Sequence, residues 1–157
     1  MRPRSPSGSS SRARAATCTT AARTEVFSYV TDPSRFPEWQ QGVASGRMEG
    51  GGTHGVGARC ITRRRIGGSE RAAMSEVTDM SPPNRWAVRG LDGPIRAIVN
   101  VTVEPLNDTA RSRVTIEVDF EGRGIGKLLV PLVVRRQAAN EMPANLQVLK
   151  DRLESAA

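Results

Sequence analysis

The chain has 157 residues, 38% of them hydrophobic and only 4% aromatic. That is enough for one domain with a core of Val, Ile, Leu and Ala, and too little for two. No run approaches the ~20 apolar residues that cross a bilayer, so membrane insertion is not expected. The formal charge of +7 is uneven: Arg2, Arg4, Arg12, Arg14 and Arg23 all precede the first acidic residue, Glu25. Beyond them, 18 basic residues face 16 acidic ones, and the nearly balanced body does not call for a nucleic-acid face. A basic arm alone binds polyanions weakly and with strong salt dependence.

Residues 1–12 are rich in Arg, Ser, Pro and Gly and lack hydrophobic periodicity, so a disordered tail is expected there, with a single domain over 13–157. Ala13 to Thr20 reads as a marginal first strand. Residues 22–30 read as a short helix, because Val26, Phe27 and Val30 share one face. A second helical start follows at once: Asp32 suits a cap, Pro33 the first turn, and Phe36 and Trp39 supply apolar contacts.

From about 43 to 121 the period becomes that of strands. Turn signals at Gly50–Gly57, Gly67-Gly68, Pro82-Pro83-Asn84, Asp92-Gly93-Pro94 and Pro105–Thr109 separate six segments. These are Val43–Met48, Ala58–Ile66, Arg71–Met80, Arg85–Leu91, Ile95–Glu104 and Ala110–Glu121. Short connections make the sheet an antiparallel meander, since parallel neighbours need long crossovers. In the last two strands Val99, Val101 and Val103, and Val114, Ile116 and Val118, alternate with polar residues, which implies one buried face and one wet face. After Gly124 the period becomes helical to about Glu154. Leu128, Leu132, Ala139, Met142, Leu146, Leu149 and Leu153 form one stripe, and Pro143 predicts a kink or break near 139–142.

Cys18 and Cys60 lack metal-binding spacing and read as free thiols in a reducing cytoplasm. His54 is the sole histidine and has no triad or zinc partners, so neither a metal nor a cofactor is expected. Gly122–Lys127 superficially suggests a phosphate loop, but Glu121 and Leu128 occupy positions where that loop needs Gly and Ser or Thr. It reads as a strand-to-helix turn.

The order β-α-α-β6-α, with Glu25–Trp39, Gly55–Arg59, Glu76–Arg85 and Ala144–Lys150 as local matches, resembles the SRPBCC superfamily. Within it the likeness is to the polyketide cyclase/dehydrase-like subgroup, and it covers about residues 13 to 155. The resemblance implies an α+β helix-grip fold, a curved antiparallel sheet wrapped around a long C-terminal helix, with an apolar cavity between them. It implies binding or transport of a lipid- or polyketide-like molecule by a monomer or homodimer. The alternative is a polyketide cyclase/aromatase or dehydratase.

Candidate ligand contacts are Phe36, Trp39, Met74, Trp86, Val99, Val101, Ile116, Val118, Leu132 and Met142. Arg136 interrupts the helical stripe, either snorkelling to solvent or serving as a cavity cation. It is a candidate catalytic and binding group, and Glu76 is a candidate general base. Two strand parities compete around Glu76: one groups it with Met74, Thr78 and Met80, the other puts Ser75 and Val77 inside. Arg63, Arg64 and Arg65 must occupy both faces of their strand.

Overall fold

Seven strands form one antiparallel sheet in the order β1-β7-β6-β5-β4-β3-β2. The computed structural model describes residues 12–51, 55–66, 68–93, 95–106, 110–122 and 135–155. The expected tail up to residue 11, His54, most of the Gly122–Lys127 turn, Leu128 and Leu132 lie outside these residues. β1 (Arg12–Thr19) leads into α1 (Arg23–Val30), a 3-10 turn (Pro33–Arg35) and α2 (Phe36–Trp39). The meander follows as β2 (Val43–Met48), β3 (Arg59–Ile66), β4 (Ser69–Ser81), β5 (Arg85–Gly90), β6 (Ile95–Pro105) and β7 (Ser112–Gly122). The chain closes with α3 (Arg135–Ser155), which runs unbroken through Pro143, so the expected break is absent. No helix among the described residues is long and apolar enough to cross a membrane.

Side chains on one face of the sheet meet the helices. Val103 pairs with Val114, Val101 with Ile116 and Val99 with Val118, and Trp86 and Val88 continue the row on β5. Opposing them, Leu146, Leu149 and Leu153 of α3 and Val26, Phe27 and Val30 of α1 are buried. The other face is solvated and charged. Arg63 and Arg65 both reach Glu70 at 3.6 Å, Arg14 reaches Glu117 at 3.4 Å, and Arg85 reaches Asp79 at 3.0 Å. These pairs add little stability, because exposed ones contribute about 0.2–1 kcal/mol each.

Two local devices position the first helical segments. Asp32 Oδ1 accepts from the backbone N–H and the hydroxyl of Ser34, at 3.0 and 2.7 Å, which starts the 3-10 turn as its sequence suggests. That turn then sits directly on β2 at Gly46, where an added Cβ would lie 2.2 Å from the carbonyl oxygen of Pro33. Only a residue without a side chain fits there.

β4 contains the main departure from regular pairing. Val77 pairs with Val88, but Asp79 pairs with Ala87, so the register shifts at Thr78. One extra residue inverts the inward–outward alternation. Ser75 and Val77 face the helices before the shift, and Met80, paired with Trp86, does so after it. Neither simple parity holds along the whole strand.

Candidate functional site

The helix-facing side of the sheet is fully buried at one end and partly buried at the other. Val103, Val114 and Leu149 are 1%, 0% and 0% exposed, and Val101 is 2% exposed. Towards the opposite ends of the same strands, Ala97, Val99, Val118 and Phe120 are only partly buried, as are Ala73 and Ser75 on β4. The helix shows the same gradient. Leu146, Leu149 and Leu153 are buried, whereas no described side chain from Arg136 to Asn145 is. A cleft of about 280 Å³ separates this N-terminal half of α3 from β1, lined by Arg12, Ala13, Arg14, Ala139, Met142 and Pro143. Polar groups at its rim are already engaged: Arg12 Nε donates to Asp119 Oδ1 at 3.1 Å, and that carboxylate and Glu117 hold the guanidinium further in its charged form.

An aromatic cluster walls the site on the β2–β5 side. The Phe36 ring stands edge-on to Trp39, with centroids 6.1 Å apart, and to Trp86, at 6.2 Å. All three rings are 5% exposed. The Trp39 indole N–H is buried among them without a hydrogen-bond partner among the described residues. α2 is tied to α3 below this cluster, where the Gln41 backbone N–H donates to Asn145 Oδ1 at 3.0 Å.

β3 brings a cation to the same face. Cys60 and Thr62 are buried, 2% and 6% exposed, and strand alternation carries Arg64 to their side while Arg63 and Arg65 point outward to Glu70. Arg64 Nη2 donates to Gln40 Oε1 at 3.4 Å, a long bond. Burial pulls its guanidinium below the usual arginine range, against the opposing pull of Cys60 and Glu141. Burial likewise pushes the Cys60 thiol up, although Ser75 and the Arg64 charge favour its ionised form. Cys60 is a buried free thiol whose protonated form burial favours.

The sequence candidates divide accordingly. Phe36, Trp39, Trp86, Val99, Val101, Ile116 and Val118 lie on the helix-facing side, with Val101 and Ile116 in its fully buried part, and Met142 packs at the edge of the core. Leu132 lies outside the described residues. Arg136 is exposed, in keeping with the snorkelling alternative. Met74 and Glu76 are corrected by the register. Met74 pairs with Ile61, and Glu76 sits between Arg59 and Arg89, on the face away from the helices. Glu76→Gln is accordingly expected to shift unfolding by less than about 0.5 kcal/mol, as surface changes usually do. It should also leave ligand affinity unchanged; a tenfold loss in a calorimetric titration would contradict that placement. Arg64 is the group that sequence reading did not single out. Its signal was the alternation Cys60–Thr62–Arg64, which puts the middle arginine of three opposite its neighbours.

Among the described residues, no three His, Cys, Asp or Glu side chains gather to hold a metal ion. The family described as polyketide cyclase/dehydrase and lipid transport matches residues 15–154. No curated protein sequence matches the chain significantly. Among solved structures, a START superfamily protein from Mycobacterium smegmatis superposes with a TM-score of 0.75 at 14% identity, over 93% of this chain and 99% of that one. The Zhui aromatase/cyclase from Streptomyces sp. R1128 gives 0.74 at 13% identity, over 91% and 93%. A protein from Thermus thermophilus gives 0.73 at 19%, over 93% and 99%. At such identities the likeness establishes the helix-grip fold alone.

Proposed function

We propose, because the chain belongs to the polyketide cyclase/dehydrase and lipid transport family, that it binds an apolar small molecule at the partly buried end of its helix-facing sheet. The gradient of burial along β6 and β7 carries this reading. The same strands that are fully buried at Val103 and Val114 are only partly buried at Ala97, Val99, Val118 and Phe120. Apolar concave surface with a few polar groups at its margin is the usual make-up of a ligand site. Carriage without chemistry is favoured over cyclisation. Of the two groups a cyclase reading would use, Glu76 faces away and Arg136 is exposed.

A thermal-shift screen tests the reading, using saturated fatty acids and naphthalene-type aromatics. A ligand at a hundred times its Kd stabilises the folded state by about 2.7 kcal/mol. For a domain of this size that raises Tm by roughly 5–10 °C. Native mass spectrometry should show a one-to-one complex with the same compounds. Absence of both signals across the panel would end the proposal.

A further inference from the structure

Resting on the binding reading above, we infer that the ligand is an anionic amphiphile, an apolar molecule ending in a carboxylate or an equivalent oxyanion, whose head is held by Arg64. Three observations meet at this residue. First, β3 carries three consecutive arginines, of which the outer two share Glu70 while Arg64 alone is turned to the helix-facing side. Second, Arg64 forms no ion pair among the described residues, and its one hydrogen bond, to Gln40, is 3.4 Å long. Outside the described residues the only acidic side chain is Asp108, and the 123–134 stretch that precedes α3 contains none. Third, the residue before Gln40 is Trp39, whose buried indole N–H also lacks an acceptor among the described residues. A guanidinium with one long hydrogen bond and an indole N–H with no acceptor among the described residues thus flank the C-terminal end of α2.

Arg64 is half-buried, and a cation partly removed from water without a counter-charge is costly, so proteins retain one chiefly where something else supplies that charge. Burial depresses the Arg64 guanidinium, and Glu141 on α3 opposes this only from a distance, one of its oxygens accepting from Gln137 at 3.0 Å. A planar guanidinium receives a carboxylate through two parallel N–H bonds. On the same face, Ala73 and Ser75 lie on the neighbouring strand β4, and an acyl or aromatic body running from there across the sheet would reach the partly buried Ala97 of β6 and Phe120 of β7, three and four strands from β3.

The test is a calorimetric titration at neutral pH with two matched pairs: decanoate against decan-1-ol, and 2-naphthoate against 2-naphthylmethanol. The wild-type protein should bind the acid of at least one pair tenfold or more tighter than its alcohol, as a hydrogen bond to a charged group implies. Arg64→Met should remove that preference while changing alcohol affinity less than about threefold, and Arg64→Lys should keep part of it. Without ligand, Arg64→Met should melt at or above the wild-type temperature, because it deletes a half-buried charge that has no ion pair among the described residues; an arginine with a purely structural role would melt lower. Equal binding of acid and alcohol by the wild type would overturn the anion assignment and leave the pocket standing. Binding of neither pair, with no response in the wider screen, would overturn both. If Arg64→Met fails to fold, the wild-type preference and the Arg64→Lys titration decide the matter between them.

Discussion

Leu149→Ala is expected to destabilise the protein by about 3 kcal/mol, within the range of 2–5 for a large aliphatic side chain removed from a packed interior. Leu149 is 0% exposed and lies between Leu146 and Leu153, 2% and 7% exposed, on the half of α3 that belongs to the same buried core as Val101, Val103 and Val114. The lost methyl groups cannot be replaced by collapse, since the sheet below is held by pairing on both sides of β6. Urea unfolding followed by circular dichroism should show the loss as a lower midpoint with an unchanged slope. Tm should fall by roughly 6–12 °C. A change under about 1 kcal/mol would mean that α3 does not anchor here, and the division into fully and partly buried ends would lose its basis.

Gly46→Ala is expected to cost about 3 kcal/mol by the opposite mechanism, overpacking. The new Cβ would lie 2.2 Å from the Pro33 carbonyl oxygen and 2.9 Å from its carbon. Both are backbone atoms, so no rotamer change relieves the clash; the 3-10 turn must lift from β2. Phe36 and Trp39 follow that turn directly, and their edge-on contacts with each other and with Trp86 would be disturbed. Two signals should therefore change together, a lower midpoint and a red-shifted tryptophan emission as the indoles gain water. Loss of stability with unaltered emission would show that the turn moves without taking α2 with it.

Strand by strand, the sheet was legible in the sequence because glycine, proline and asparagine mark its turns and because β6 and β7 alternate without interruption. Val43–Met48 was bounded as the structure has it. The other strands differ from expectation by one or two residues at an end, and the first opens at Arg12, a position expected in the tail. α3 was legible where Leu146, Leu149 and Leu153 repeat, and of the kink or break expected at Pro143 the break is absent, the helix being continuous there. Proline removes one donor and crowds the preceding turn, but most neighbouring positions there are exposed, with room for the helix to accommodate it.

The site was harder to read, for two reasons. A bulge has no composition signature, so the shift at Thr78 that sends Met74 and Glu76 outward and Met80 inward could not be seen in a string of small and polar residues. Met74 continues the pairing of β4 beyond the end of β5, its carbonyl accepting from Leu91 N–H at 2.9 Å and its backbone N–H donating to Asp92 Oδ1 at 3.1 Å. The second reason is that alternation tells which residues share a face but not which face is covered. Arg64 was separable from Arg63 and Arg65 on spacing alone. Its assignment to the helix-facing side required the pairing of β3 with β2 and β4, which links it through Thr62 and Cys60 to the core.

The graded covering along β6 and β7 has an evolutionary corollary. Residues such as Val103 and Val114 are constrained by folding, since each is in contact on every side. Ala97, Val99, Val118 and Phe120, on the very same strands, have slack around them and can change volume at small thermodynamic expense. Under the binding role proposed above, substitutions at these partly buried positions would retune what fits against the sheet while the fully buried end keeps the fold.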